Sequence, residues 1–132
     1  MFAAIADTHA VIWYLSRDPH LSQTAKDFID KSFVQEKKIG VPAISLVEMV
    51  YLAEKGHIPP DQLAQLVDAL AADGVLVEVP LDIRIAQTVA KVPRDAVPDM
   101  PDRIIAATAL HLGVPLISRD RKIQLSTIET IW

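Results

Sequence analysis

The segment from Asp99 to Asp120 most constrains what this chain can fold into. It opens Asp99-Met100-Pro101-Asp102-Arg103 and continues Ile104-Ile105-Ala106-Ala107-Thr108-Ala109-Leu110-His111-Leu112 to Gly113. It then reads Val114-Pro115-Leu116-Ile117-Ser118-Arg119-Asp120. Proline fits a first helical turn, where its missing N–H is no loss, and glycine takes the left-handed conformation that closes a helix. The pattern predicts a helix opening near Pro101 and stopping at Gly113. Almost every residue between them is apolar or small, which predicts a helix covered on most sides, because a surface helix shows a polar face. Ala106, Ala107 and Ala109 let a neighbouring backbone come close. A short apolar strand follows and delivers Asp120. Acids thus flank a buried helix and its following strand, where carboxylates are costly unless something positive accompanies them.

The rest of the chain alternates strands and helices. Phe2 to Ala6 reads as a buried strand ending at Asp7, with Thr8 as the cap of a helix over His9 to Ser16. A second helix spans Leu21 to Val34, with Ser22 as its cap and Ala25, Phe28 and Ile29 inward. Lys38 to Val41 is a brief strand. A helix over Ala43 to Lys55 carries Ile44, Val47, Tyr51 and Leu52 as an apolar stripe at helical spacing. Glu48 falls in that stripe, and an acid on a buried face is the informative exception to apolar packing. It sits at the stripe's edge, pairs with a nearby arginine, or serves a site. Another helix runs from Pro59 to about Ala72 with Leu63, Leu66, Val67 and Leu70 apolar. Val75 to Val79 is a strand, Leu81 to Ala90 a helix with Ile85, Ala86 and Val89 inward, and a last strand lies near Ile128 to Ile131.

This alternation predicts an α/β fold of three layers, α/β/α, with a central, mainly parallel sheet of about five strands. Right-handed crossovers place the functional strand ends on one edge. Asp7 and Asp120 each follow a strand and belong at that carboxyl edge. Asp102 starts the helix leading into the second of those strands, and Glu48 points inward from another helix. Four acids distant in sequence therefore converge on one cleft. Together they raise one another's pKa, a conflict that a hard divalent cation removes. Mg²⁺ or Mn²⁺ prefers oxygen ligands and keeps several waters. Such an ion orients a water, lowers its pKa and steadies charge on a phosphodiester in the transition state.

Composition narrows the classes. The length of 132 residues suits one domain, and 51% hydrophobic residues argue against disorder. Cysteine is absent, so neither disulfides nor thiolate metal sites are available, which fits a reducing, cytoplasmic setting. The opening residues lack a basic leader and carry Asp7 and His9, so no signal peptide is expected. No apolar run reaches membrane-span length. The formal net charge of −4 argues against a general nucleic-acid coat. Yet Arg94, Arg103, Arg119, Arg121 and Lys122 gather near the acidic stretch, as solvated surface or as a substrate rim. Trp13 and Tyr14 could stack on bases; surrounded by Val11, Ile12 and Leu15, they fit a core or interface better. His9, His20 and His111 make no metal-ligand spacing, and His57 reads as a solvated loop residue.

With these features in place, the chain resembles the PIN-domain family, and within it the VapC toxin branch of type II toxin–antitoxin pairs. The resemblance rests on Ala6-Asp7-Thr8-His9-Ala10, Ile44-Ser45-Leu46-Val47-Glu48, Asp99 to Ala107, and Pro115 to Ile123. It covers nearly the full length and implies a single PIN domain over residues 1–132. It implies Mg²⁺- or Mn²⁺-dependent endoribonuclease activity, with Asp7, Glu48, Asp102 and Asp120 as the catalytic, metal-holding set. It also implies a homodimer and a cognate antitoxin.

Asp99 matches the first acid of the family's Asp-Pro-Phe-Asp-Arg stretch, although Met100-Pro101 replaces Pro-Phe. It is read as a helix cap, whose oxygen accepts from N–H groups two or three residues on. Ser118, where the family often has threonine, is expected to orient a water or Asp120. Arg103 and Arg119 are the candidate substrate-binding cations. Rival folds fit less well. A receiver domain needs an acidic pair near the first strand, and a nucleotide-binding fold needs a glycine-rich loop, whereas Gly40, Gly56, Gly74 and Gly113 are dispersed. The better rival is a catalytically silent RNA- or protein-binding module of the same fold.

Overall fold

The computed structural model describes residues 2–124 and 126–132. Met1 and Leu125, inside the range expected for the domain, lie outside the described residues. Among the described residues five strands form one sheet: β1 (Phe2–Ala6), β2 (Lys38–Pro42), β3 (Leu76–Val79), β4 (Leu116–Ile117) and β5 (Thr130–Ile131). Their order is β3-β2-β1-β4-β5, and every neighbouring pair is parallel. The helices are α1 (Thr8–Ser16), α2 (Gln23–Val34), α3 (Ala43–Glu54), α4 (Asp61–Ala71), α5 (Ile83–Thr88), α6 (Met100–Leu112) and α7 (Arg121–Gln124). This is the expected α/β architecture with a parallel sheet.

Successive residues of a strand face opposite sides of a sheet, and here both sides are apolar, as a sheet covered on both faces requires. Ala4, Ala6, Ile39, Val41 and Ile117 enter one core with Val11, Ala25, Ile29 and Leu66, from α1, α2 and α4. Ile5, Val79 and Leu116 enter the other with Ile85, Ile105, Ala106 and Ile123, from α5, α6 and α7. Gly40 on β2 is held between neighbours. A Cβ there would come within 2.5 Å of Ile5 Cδ1 and 2.8 Å of Val79 Cγ2.

The helix α3 touches both cores: Met49 is buried in the first and Ile44 packs on the second. Its fully buried residues are Ser45 and Met49; of the expected stripe, Ile44 and Leu52 pack on the cores and the other two residues do not. Val47 and Tyr51 are 50% and 60% exposed. The apolar spacing was read correctly as helical, but spacing alone does not say which of two apolar faces meets the core. Likewise Ala86 and Val67 face outward, while Thr88 and Gln62 are buried. The helix α5 stops at Thr88 and tightens into a 3₁₀ turn over Val89–Lys91. The tail holds a short helix that was not expected, and β5 is only two residues long. Asp120 nucleates that helix: Oδ1 accepts from the Lys122 N–H at 2.9 Å and its carbonyl from the Gln124 N–H at 2.9 Å.

The strand order reverses beside β1, since β2 and β3 lie on one side of it and β4 and β5 on the other. Open parallel sheets bind ligands outside the carboxyl ends of the strands at such a switch point. The Asp7 N–H donates to the Ile117 carbonyl at 3.1 Å, which ties the ends of β1 and β4 together there.

Candidate active site

At this crevice lies a cleft of about 350 Å³ lined by Asp7, Thr8, His9, Trp13, Glu48, Asp102, Arg119 and Asp120. The four acids chosen from sequence thus share one cleft. Asp7 leaves β1 and becomes the N-cap of α1, its Oδ1 accepting from the Ala10 N–H at 2.9 Å. Thr8 was expected to cap, but it is the first helical residue. Its hydroxyl is free to reach across to α3, where it donates to Glu48 Oε1 and lies 3.0 Å from Ser45 Oγ. One hydroxyl carries one proton, so Ser45 is placed to donate to Thr8. Ser45 and Glu48 stand one turn apart on α3, which is why both meet the same partner. Neither Thr8 nor Ser45 was singled out as a site residue by the sequence reading. The available signal was Ser45 three residues before a stripe-bound acid.

Ser118 is fully buried at the end of β4. Its Oγ accepts from the Asp120 N–H at 3.0 Å, which orients Asp120, and its hydroxyl favours the charged form of the Asp7 carboxyl. Burial pushes the Asp7 carboxyl above its usual range, against the Ser118 hydroxyl, the Ala10 N–H and the nearby His9, with Asp120 adding repulsion. Asp102, in the first turn of α6, is pushed up to about 6. Burial is the largest cause, followed by the charges of Asp120, Glu48, Asp99 and Asp7.

Two candidates are placed differently from expectation. Asp99 is the N-cap of α6, yet its side chain accepts no capping hydrogen bond. Pro101 has no N–H to give, and the remaining donor belongs to Asp102, whose own carboxylate repels that of Asp99. Arg103 is absent from the cleft lining. Its Nη2 donates to the carbonyls of Val89 at 3.0 Å and Val92 at 2.9 Å, fastening the 3₁₀ turn to α6. Consecutive helical residues are turned by about 100° about the axis, so Arg103 cannot share the direction of Asp102. Arg119 does line the cleft, with its guanidinium 4.6 Å from the Trp13 ring centroid. Trp13 and Tyr14 are half-buried and pack on the first core. They also wall a larger groove of about 840 Å³ between α1 and α2, with Arg17 and Lys26.

The donor set suits a hard cation: carboxylate oxygens, one of them strained by the charge of the others. Among the described residues no three acids are gathered into a ready-made metal centre. Uncompensated like charges keep apart, and Mg²⁺ retains waters and needs only one or two carboxylates beside substrate phosphate. The cleft therefore fits such an ion held by a few of these carboxylates and keeping waters of its own.

Comparison with known proteins gives a consistent picture. The PIN domain family model matches residues 4–126. The chain is 28% identical over 129 residues to Ribonuclease VapC22 of Mycobacterium tuberculosis, covering 94% of this chain and 92% of that protein. Its fold is similar to that of VapBC2 from Rickettsia felis bound to a promoter DNA fragment, with a TM-score of 0.71 at 13% identity over 96% of both chains. It is also similar to a toxin–antitoxin complex from Klebsiella pneumoniae, with a TM-score of 0.69 at 22% identity, covering 98% of this chain and 96% of that one. A third similar structure is FitAcB from Neisseria gonorrhoeae, with a TM-score of 0.62 at 18% identity, covering 96% of this chain and 95% of that one.

Proposed function

The chain belongs to the PIN domain family, and on that premise we propose that it is a Mg²⁺- or Mn²⁺-dependent endoribonuclease acting as the toxin of a toxin–antitoxin pair. The observation that carries this reading is the convergence of Asp7, Glu48, Asp102 and Asp120 on one cleft, where burial and the charges of Asp120, Glu48, Asp99 and Asp7 push the Asp102 carboxyl up to about 6. A carboxyl so placed gains nothing for folding, and its position makes sense as half of a cation site. Asp7, Glu48, Asp102 and Asp120 would hold the ion, which when bound would activate a water and steady phosphodiester charge.

The chain's own residues do the rest. The Ala10 N–H fixes the Asp7 carboxylate, and the Ser118 hydroxyl favours its charged form. The Thr8 hydroxyl, backed by Ser45, fixes Glu48. The Asp102 carboxyl, pushed up to about 6 by burial and its acidic neighbours, holds its proton in mildly acidic solution, and a cation in the cleft would favour its charged form. Arg119, at the mouth of the cleft, faces the backbone of an entering RNA. Asp99 stays on the rim as an added negative charge.

The toxin reading is supported by the similarity to Ribonuclease VapC22 and by solved neighbours that are toxin–antitoxin assemblies. An antitoxin segment bearing arginine suits the acidic cleft, because a guanidinium pairs bidentately with a carboxylate. The groove walled by Trp13 and Tyr14 suits the remainder of such a segment. The exposed Val47, Tyr51 and Met100 beside Glu48 support a homodimer through α3 and the start of α6. Among the described residues no helix is long and apolar enough to cross a membrane.

The deciding experiment is an RNA cleavage assay with and without Mn²⁺, run alongside Asp7→Asn. Cleavage that requires the ion and disappears in the variant is expected. RNA binding without cleavage at any metal concentration would instead identify a silent binding module. Titrating the product of the neighbouring gene into the same assay tests the antitoxin, and absence of any complex would remove the toxin reading.

A further inference from the structure

Among the described residues, Arg119 is the only arginine or lysine lining the acid cleft. It is adjacent in sequence to Asp120 and shares the cleft with Asp7, Glu48 and Asp102. Electrostatics alone would draw a flexible guanidinium onto those carboxylates. It lies elsewhere. The ion pairs among the described residues are His20–Asp18, Lys26–Asp30 and Lys38–Asp73, and none involves the cleft. The Arg119 guanidinium instead rests over Trp13, 4.6 Å from its centroid. The Trp13 ring is itself held. His9 and Trp132 pack against it at 5.4 and 5.9 Å. His20 stacks on it at 5.4 Å with an interplanar angle of 27°. Asp18 in turn holds His20 through the backbone N–H at 2.8 Å and the ring Nδ1 at 2.6 Å. Trp13 belongs to α1, the helix that Asp7 caps, so the ring and the first acid are fixed to one rigid element.

We propose that Trp13 is a positioning residue that holds the Arg119 guanidinium at the mouth of the cleft and out of the carboxylates. The acids are thereby left for the divalent cation, and the N–H edge of the guanidinium for an RNA phosphate. Planarity is what makes this work. A guanidinium lies flat on an indole and still presents paired donors at its edge. A lysine ammonium is a compact, strongly hydrated charge with no such face. Without the ring, or with lysine in place of arginine, the cation falls among the acids and competes with the metal. The proposal rests on the reading of the cleft as a metal-dependent RNA site.

The test is calorimetric titration of the full chain with Mn²⁺ alone, together with anisotropy of a fluorescent oligoribonucleotide in EDTA, where the proposed metal-dependent cleavage does not run. Arg119→Lys and Trp13→Ala are expected to weaken Mn²⁺ binding by about tenfold, the low end of what outer-shell changes do to a metal site. Arg119→Ala and the double variant Trp13→Ala/Arg119→Ala are expected to bind Mn²⁺ as the parent does. Both should bind the oligonucleotide about tenfold more weakly, for want of one charged hydrogen-bonding group. Restoration of Mn²⁺ affinity in the double variant is a result that simple loss of packing cannot produce. Should Trp13→Ala fail to fold, Arg119→Lys, an exposed change, carries the same test. Unaltered Mn²⁺ affinity in Arg119→Lys overturns the proposal, as does weakened Mn²⁺ binding in Arg119→Ala. Parent protein that neither binds Mn²⁺ nor cleaves RNA overturns the metal-dependent reading itself, and this proposal with it.

Discussion

Two helices of this protein begin at an aspartate, and the two behave in opposite ways. Asp7 caps α1 with a 2.9 Å hydrogen bond from the Ala10 N–H. Asp99 occupies the same position before α6 and accepts nothing from it. The difference lies in the donors. After Asp7 come Thr8, His9 and Ala10, all with N–H groups. After Asp99 come Met100, Pro101 and Asp102, which offer one donor fewer and a second negative charge. A cap is thus a property of four residues, not of one. Because Asp7 is held by its cap, it presents a fixed carboxylate to the cleft. Asp99 contributes charge to the rim, and its effect is felt through Asp102.

The sharpest way to separate the two is by activity. Asp7→Asn keeps an oxygen that can accept the capping bond and removes the charge. We expect a folded protein that has lost more cleavage than the roughly hundredfold that outer-shell changes reach. Asp102→Asn should do the same. Asp99→Asn should retain cleavage within about tenfold, since it removes only a rim charge whose effect is screened. Equal losses at Asp7 and Asp99 in RNA cleavage assays would place Asp99 among the ion's ligands and erase the distinction.

Metal and pH sharpen it next. A divalent ion present at 100 times its dissociation constant should stabilise the fold by roughly 2.7 kcal/mol, read as a rise in melting temperature with Mn²⁺. No shift at millimolar Mn²⁺ would count against a site formed by Asp7 and its partners. Without metal, the slope with pH should run the other way from that of a salt-bridged acid. Asp102 has an ordinary value of 3.8 and rises to about 6 on folding. Between those values the folded chain keeps a proton that the unfolded chain has released. Its contribution is therefore fully present below the lower value and lost as pH rises through about 6. Asp7, also raised, acts in the same sense. Metal-free melting temperature should thus fall from pH 5 to pH 7 in the parent and fall less in Asp102→Asn. Mn²⁺ should reverse the slope, because the ion binds the deprotonated form.

The same contrast shows what could be read from sequence. The strand–helix alternation, the helix closing at Gly113 and the convergence of Asp7, Glu48, Asp102 and Asp120 were legible, because periodicity and strand-end position survive folding. Ser22 was legible as a cap, and its Oγ accepts from the Ala25 N–H. What was not legible depends on which partner a side chain finds across the fold. Arg103 and Arg119 look alike in a row of charges, but one fastens a 3₁₀ turn and the other lies on Trp13. The stripe of Val47 and Tyr51 was visible, whereas its exposure was not, because α3 buries Ser45 and Met49 instead. The Thr8–Ser45–Glu48 chain joins residues 37 and 40 positions apart, beyond the reach of any local pattern.

The smallest expected effect isolates the cap itself. Asp7→Ala and Asp7→Asn both remove a buried carboxylate, so both lose the same repulsion with Asp120 and the same desolvation cost. They differ in whether an oxygen remains for the Ala10 N–H. Their difference in stability therefore measures the cap, and loss of a capping side chain costs about 1 kcal/mol. Asp99→Ala and Asp99→Asn should differ by no more than about 0.5 kcal/mol, the range of surface changes that break no specific contact. Chemical denaturation of the four variants in EDTA, with m-values checked for constancy, gives both differences without interference from metal. A gap at Asp99 as large as that at Asp7 would mean that its side chain caps α6 in solution. The donor set after Asp99 would then be adequate despite Pro101, and the contrast between the two helix starts would fail at its physical root.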